Sequence, residues 1–235
     1  MSGALIDTTE MYLKTVYELE EEKIPALRAR IVDRLGQSGP TVSETVARLE
    51  RAGLLRMGPH RQIQFTDEGF QRAEAVMRKH RLVECLLLHV IKLEWNQVHA
   101  EACRWEHVVS SDVAEKIGDL LGQPSVDPFG NPIPGKREGE ARSVKWPKGS
   151  ISGLDSLDVV AEMGADRAHR VVRIAERVQS DEAMVNDFYC ANFRPGAEFV
   201  VVESTPEEVV LAVGEPSVGE RLRVPVQLAS GVYVS

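Results

Sequence analysis

The feature that most constrains this chain is a glycine-bearing turn, Gly36-Gln37-Ser38-Gly39-Pro40, set between two short helical patterns. The first pattern, Arg28 to Leu35, follows the break that Pro25 imposes. In the second, Pro40 falls in the first turn, and Val42, Val46 and Leu49 return to one side before Arg51. Two short helices joined in this way are a helix-turn-helix. Upstream, Asp7-Thr8-Thr9-Glu10 has the spacing of a capping box, and Met11, Tyr12, Thr15, Val16 and Leu19 follow at helical intervals, so a first helix starts here. Acidic Glu18 to Glu22 closes it. Downstream, Leu54-Leu55-Arg56-Met57 and Gln62-Ile63-Gln64-Phe65 flank the turn residues Gly58-Pro59-His60-Arg61 and predict a two-stranded wing.

The chain as a whole is acidic, with a net charge of -8 over 235 residues. That excludes non-specific nucleic-acid binding by the whole surface, and it leaves room for a local basic patch. Arg28, Arg30, Arg34, Arg48, Arg51, Arg56 and Arg61 all lie in the helix-turn-helix and wing, against Asp33, Glu44 and Glu50. A charge run is ordinarily only a solvated face. Combined with a helix-turn-helix and a wing, this one predicts DNA binding.

A second stretch carries metal chemistry. Asn96 is a candidate N-cap, and Val98, Ala102, Trp105, Val108 and Val109 have helical spacing, which predicts a helix through His99 and His107. At about 100° per residue, His99, Cys103, Glu106 and His107 crowd roughly a quarter to a third of its circumference. Imidazole, thiol and carboxylate are the donors that transition metals take. Thr66-Asp67-Glu68-Gly69 opens a long helix running to about His89 or Ile91. On it His80 and Glu84 stand four apart, as a hydrogen-bonded pair or as part of a second metal site.

The remaining indicators are broad. The N-terminus lacks a basic region followed by an apolar one, and the longest apolar run, Leu82 to Leu93, is interrupted and too short to span a bilayer, so a cytoplasmic protein without membrane contact is expected. Cys85, Cys103 and Cys190 are odd in number and widely spaced, which makes neither a disulfide framework nor a zinc-ribbon pattern.

Five runs in order resemble the diphtheria toxin repressor family, the iron-dependent regulators of actinobacteria. They are Asp7 to Leu13, Gln37 to Ser43, Met77 to Leu82, Glu101 to His107 and Pro128 to Gly135, and the resemblance covers residues 1 to about 135 before fading. It returns weakly at Glu176 to Gln179. The resemblance implies a regulatory metal site of Met11, Cys103, Glu106 and His107. It also implies an ancillary site of His80, Glu84 and His99 with Glu176 and Gln179. By itself Met11 reads as a core methionine, and a surface polar role is the lesser alternative for Glu176 and Gln179. Sulfur donors at Met11 and Cys103 favour Fe(II), Co(II) or Ni(II) over Mn(II), but donor type alone does not separate those three. The family points to Fe(II), with Co(II), Ni(II), Mn(II) and Zn(II) as surrogates. Metal shared between helix one and the Cys103 stretch would set the orientation of helix one.

At the DNA, Gln37, Ser38, Pro40, Thr41, Ser43 and Glu44 are placed to meet bases and nearby phosphates, and Arg28, Arg30 and Arg51 suit phosphate oxygens. The implied partner is a palindromic double-stranded operator bound by a homodimer, with one or two dimers to each operator. Leu82, Val83, Leu86, Leu87, Val90 and Ile91 are the expected dimer seam. Two residues depart from the family pattern. Glu44 stands where Gln is common, and a carboxylate only accepts hydrogen bonds and is repelled by phosphate. Asp127 stands where a small hydroxyl residue near an anion is common.

The expected domains are a winged helix-turn-helix over 1–73, a helical metal-binding and dimerisation domain over 74–140, a flexible linker over 141–152 and an SH3-like domain over 153–235. The fold class is thus mainly α for the first two-thirds, with a C-terminal all-β SH3-like barrel. Its strands are expected at Asp158 to Ala161, Arg170 to Ile174, Glu198 to Val202, Val209 to Val213, Arg221 to Val224 and Val232 to Val234. The functional expectation is an iron-activated transcriptional repressor of iron uptake and homeostasis genes, and not an enzyme. The alternatives are a repressor of the same family that senses manganese or another divalent metal and, remotely, a metal-dependent hydrolase, for which no nucleophile or substrate motif is present.

Overall fold

A computed structural model describes residues 7–135, 153–164, 167–214 and 221–235. The linker expected over 141–152 lies outside the described residues. The chain packs as two compact units, whose division falls inside two long helices. Of the described residues, one comprises 7–83, 103–125 and 133–135, and the other 84–102, 126–132, 153–164, 167–214 and 221–235.

The first unit opens with helix α1 (Thr8–Glu21), whose N-cap Asp7 accepts a hydrogen bond from Thr9 N at 2.8 Å. Helix α2 (Arg28–Leu35) stops at Gly36, which adopts φ 61°, the left-handed conformation that glycine takes without strain. Helix α3 (Gly39–Arg51) starts on Ser38, whose hydroxyl accepts from Thr41 N. Strands β1 (Leu55–Met57) and β2 (Ile63–Phe65) pair antiparallel with Arg56 opposite Gln64, which makes the wing. Tyr12, Leu13, Val16 and Tyr17 of α1 share one core with Ile31, Val42, Val46, Leu49, Ile63 and Phe65. Burying each such large side chain is worth on the order of 1.5–3 kcal/mol. This is why helix one belongs to the winged helix and is no loose arm.

Helix α4 (Asp67–Leu86) continues into a π-turn, Leu87–Ile91, and ends at Lys92 with φ 64°. Helices α5 (Trp95–Trp105) and α6 (Ser111–Leu120) follow. Helix α5 starts one residue before the expected cap, so Asn96 lies in the first turn and its amide instead donates to Asn186 Oδ1 at 3.1 Å. The expected dimer seam also needs correction. Leu82, Val83 and Leu87 are buried within the chain itself, while Val90 and Ile91 are exposed.

The second unit holds a six-stranded antiparallel sheet. Its strands are β3 (Asp155–Ser156), β4 (Ala168–Ile174), β5 (Glu198–Ser204), β6 (Glu208–Val213), β7 (Arg221–Pro225) and β8 (Val232–Val234), in the order β3-β8-β4-β5-β6-β7. Among the described residues β3, paired with β8, and β7, paired with β6, are the two edges and do not pair with each other, so this SH3-like sheet is open and is not a closed barrel. Nor is the region all-β. Helices α7 (Leu157–Glu162), α8 (Glu176–Gln179), α9 (Glu182–Cys190) and α10 (Val226–Ala229) interleave with the strands. The expected strand Asp158 to Ala161 lies in α7, because Leu157, Val160 and Ala161 bury a helical face that a three-residue apolar run does not distinguish from a strand. The segment 126–132 packs onto β4. Ile174 N donates to Phe129 O at 2.8 Å, and Gly130, at φ 84°, sits so close that a Cβ there would meet Val172 O at 2.1 Å. Among the described residues no helix is long and apolar enough to cross a membrane.

Candidate metal centre

Helix α5 ends at Trp105, whose carbonyl accepts from both Val108 N and Val109 N. His99 and Cys103 are therefore helical, while Glu106 and His107 lie in the turn beyond. The expected single helical face is thus cut short. The turn carries the Glu106 carboxylate inward, where it is 2 % exposed.

Around Glu106 the first unit assembles a buried polar group. Lys14 Nζ, from the second turn of α1, stands 2.8 Å from Glu106 Oε2, 3.2 Å from His80 Nδ1 and 3.6 Å from Cys103 Sγ. His80 Nδ1 is itself 2.5 Å from Glu106 Oε2. Burial opposes the charge on Lys14, but Cys103, Glu106 and Glu18 around it outweigh that and hold its pKa above the usual lysine range. Burial likewise pushes the Glu106 carboxyl up, and Lys14 and then His80 overcome it, holding the pKa below the usual carboxylate range. His107 completes the group, with Nε2 3.2 Å from Glu106 Oε1 and Nδ1 2.8 Å from Glu10 Oε2.

Glu106 and His107 are thus in contact, Cys103 is linked to Glu106 through Lys14, and His80, expected in the other set, is bonded to Glu106. Met11 is half-buried against the winged-helix core, and its carbonyl accepts from Thr15 Oγ1 at 2.9 Å. Sequence reasoning missed Glu10 and Lys14. They are four apart on α1 and so share its face, one on each side of Met11 in sequence, which was the available signal.

The second unit holds the other donors. His99 Nδ1 is 3.2 Å from Glu84 Oε1, and His99 Nε2 is 3.3 Å from Ser180 Oγ, whose hydroxyl donates to Glu176 O. Glu84, His99, Glu176 and Gln179 are all buried, which corrects the surface alternative for the last two. Gln179 Nε2 donates to Ile174 O at 2.7 Å, and its buried Oε1 has no hydrogen-bond partner among the described residues. An oxygen left in that condition is a donor awaiting a cation or water, so the residues fit a metal. Asp127 is a structural residue here. Its carboxylate accepts from Phe129 N, Asn131 N and Asn131 Nδ2 at 2.7–2.9 Å, and Asn131 Oδ1 accepts from Arg173 Nε at 2.6 Å. Arg173 in turn lies 4.0 Å from Glu176. Asp127 thereby fixes Asn131, which holds the Arg173 guanidinium beside Glu176.

The residues expected from sequence to meet DNA divide by exposure. Ser38, Pro40, Thr41, Ser43, Glu44 and Arg51 are exposed on α3 and its cap, and Arg30 is exposed on α2. Ser38 also caps α3, and Gln37 Oε1 accepts from Tyr12 OH at 2.5 Å. Arg28 is half-buried beside Met57 Sδ, and Arg34 is turned inward onto Glu22 at 2.9 Å and Glu18 at 3.4 Å, so it is not available to phosphate.

A winged helix-turn-helix whose first helix is bonded to a buried group of nitrogen, sulfur and oxygen donors defines a class, the DNA-binding regulators that answer to a metal. Comparison with known proteins narrows it. The iron-dependent repressor N-terminal DNA-binding domain matches residues 4–63, and the iron-dependent repressor metal-binding and dimerisation domain matches residues 66–135. The chain is 46% identical to the iron-dependent repressor IdeR of Mycobacterium tuberculosis, over 98% of this chain and 97% of that protein. It is 48% identical to the diphtheria toxin repressor of Corynebacterium diphtheriae, over 85% and 86% respectively. Among solved structures, a manganese-dependent transcriptional repressor in complex with manganese superposes with a TM-score of 0.75 at 25% identity, covering 97% of this chain and 99% of that one. The chain belongs to the iron-dependent repressor family.

Proposed function

We propose that this chain is an Fe(II)-activated repressor in which Cys103, Glu106 and His107, with Met11, hold the regulatory ion, and Glu84, His99, Glu176 and Gln179, with His80, hold the ancillary one. One observation carries the reading. The donors after α5 are bonded to α1 through Glu106 to Lys14 and His107 to Glu10, and α1 is bonded to the helix-turn-helix through Tyr12 to Gln37. Any change in the donor set therefore acts on the helix that supports the DNA-reading turn. A bound divalent ion supplies positive charge that draws imidazole, thiolate and carboxylate donors together. The chain's own residues do the rest. Thiolate and imidazole donors prefer Fe(II) to Mn(II), α1 settles in one orientation, and α3 presents Ser38 to Glu44 to the major groove. Each tenfold preference of the ion for the DNA-competent state shifts the balance by about 1.4 kcal/mol.

The reading includes a homodimer on a palindromic operator, one or two dimers to each, whose half-sites follow the twofold symmetry of the protein. It also includes a cytoplasmic site of action, where that operator lies. The protein is a repressor and catalyses no reaction.

The test is anaerobic DNA binding by fluorescence anisotropy on a palindromic operator of the family type, with Fe(II), Co(II), Ni(II), Mn(II) and Zn(II) titrated against a chelated control. Tight binding is expected with Fe(II), Co(II) and Ni(II) and is lost in Cys103→Ala. Equal affinity with and without metal, or an unaffected Cys103→Ala, overturns the proposal.

A further inference from the structure

Lys14 does something that no metal ligand does, because it brings a positive charge into the donor set. Its side chain is 9 % exposed, and Glu106 beside it is 3 % exposed. Its ammonium donates to Glu106 oxygen at 2.8 Å and to Cys103 sulfur at 3.6 Å, and it lies 3.2 Å from His80 Nδ1, the nitrogen that also faces Glu106 Oε2. Carboxylate oxygen and thiolate sulfur are donors a transition metal takes, and here a lysine has them. An ammonium so deeply buried persists only because those groups match its charge. A divalent ion bound to Glu106 and Cys103 needs the same lone pairs, and two cations do not share them at about 3 Å without strong repulsion. Lysine is suited to give way, since its four-carbon stem can swing a compact charge out of the group.

We propose that Lys14 is a built-in competing cation, which holds the regulatory donors in the metal-free protein and sets the metal concentration at which the repressor responds. The proposal rests on Cys103 and Glu106 being ligands of that site. Lys14 adds a full positive charge beside the buried Glu106 carboxylate, which His80 and His107 also face, so the donor set and α1 stay assembled without metal. Metal binding becomes an exchange of one cation for another. The threshold is higher than the bare donors would give, and it is written in α1, the helix the metal has to control.

The test is anaerobic Co(II) titration of the full chain against a competing chelator, following the thiolate-to-Co(II) absorption band, with the thermal midpoint of the metal-free protein as a second measurement. Lys14→Met keeps the length of the stem and removes the charge. It is expected to bind Co(II) about 10- to 100-fold more tightly than wild type and to have a lower metal-free midpoint that Co(II) restores. Lys14→Arg keeps the charge, is expected within about threefold of wild type, and serves also if Lys14→Met does not fold. Unchanged or weaker Co(II) binding by folded Lys14→Met, or equal tightening in both variants, overturns the role of Lys14. If wild type shows the thiolate band in those cases, the ligand assignment stands without it. A band absent from wild type and from Lys14→Met alike overturns the ligand assignment and the proposal together.

Discussion

The Arg81 guanidinium and the Glu21 carboxylate, 60 residues apart in the chain, meet as a two-pronged pair inside the winged-helix unit. Nη1 is 3.1 Å from Oε1 and Nη2 is 2.8 Å from Oε2, with both side chains fully buried. The pair ties α4 to the last turn of α1. Removing one partner strands the other charge in a medium that solvates it poorly. Arg81→Met is therefore expected to destabilise the chain by about 3–5 kcal/mol, and a double Arg81→Met, Glu21→Met variant to recover most of that. Urea unfolding of the three proteins measures it, and a double variant as unstable as the single one would contradict the account.

Glu10 orients His107. Its carboxylate takes Nδ1 at 2.8 Å, which leaves Nε2 directed toward Glu106. An imidazole held this way is a better and better-aimed ligand. Glu10→Ala is expected to weaken Co(II) binding about 10- to 100-fold while keeping the thiolate absorption band, whereas Cys103→Ala removes that band. Isothermal titration beside absorption spectroscopy separates the two effects.

Glu44 is exposed on α3, among the residues proposed to meet DNA. A carboxylate accepts from cytosine N4 and repels phosphate, while an amide both donates and accepts at a base edge. Glu44→Gln should therefore change the preferred base at one position of each half-site and tighten binding to a family-type operator by about tenfold. Selection from a randomised operator library reads both changes, and identical profiles for the two proteins would count against a base contact by Glu44.

Burial beside Ile24, Pro25 and Phe65 pushes the Glu20 carboxyl up to about 7 from the usual 4.5. The folded state thus holds the proton more tightly than the unfolded one. The associated stability is present below about pH 4.5 and is lost as pH rises through about 7. Glu20→Gln should be unchanged in stability at pH 4 and more stable at pH 8, on the order of 1 kcal/mol after allowance for its partial exposure. Denaturation midpoints at the two pH values decide it, and a gain at pH 4 as large as at pH 8 would count against the assignment.

Much of this protein is legible in one dimension, and the reason is local. The turn at Gly36, the cap at Ser38 and the alternation around Pro59 act within a few residues of themselves, so α2, α3 and the wing follow from neighbours in the chain. The donor types Cys103, Glu106 and His107 are legible in the same way, although Glu106 and His107 lie in the turn beyond α5 and not on the expected helical face. Short apolar runs are the opposite case. Val159-Val160-Ala161 reads equally as strand or helix, and packing against the sheet selects the helix α7.

What the amino-acid order alone determined is therefore the winged helix-turn-helix, the family and the ligand types. Tertiary structure alone decided the company those ligands keep. Glu106 leaves the helical face because α5 ends at Trp105, His80 crosses 26 positions to bond it, and Lys14 reaches it from 92 positions away. Contacts over such separations depend on how whole helices pack, and no local pattern records that packing. The physical consequence is charge. A sequence displays three or four donors for a cation, and only the fold reveals that a lysine already stands among them.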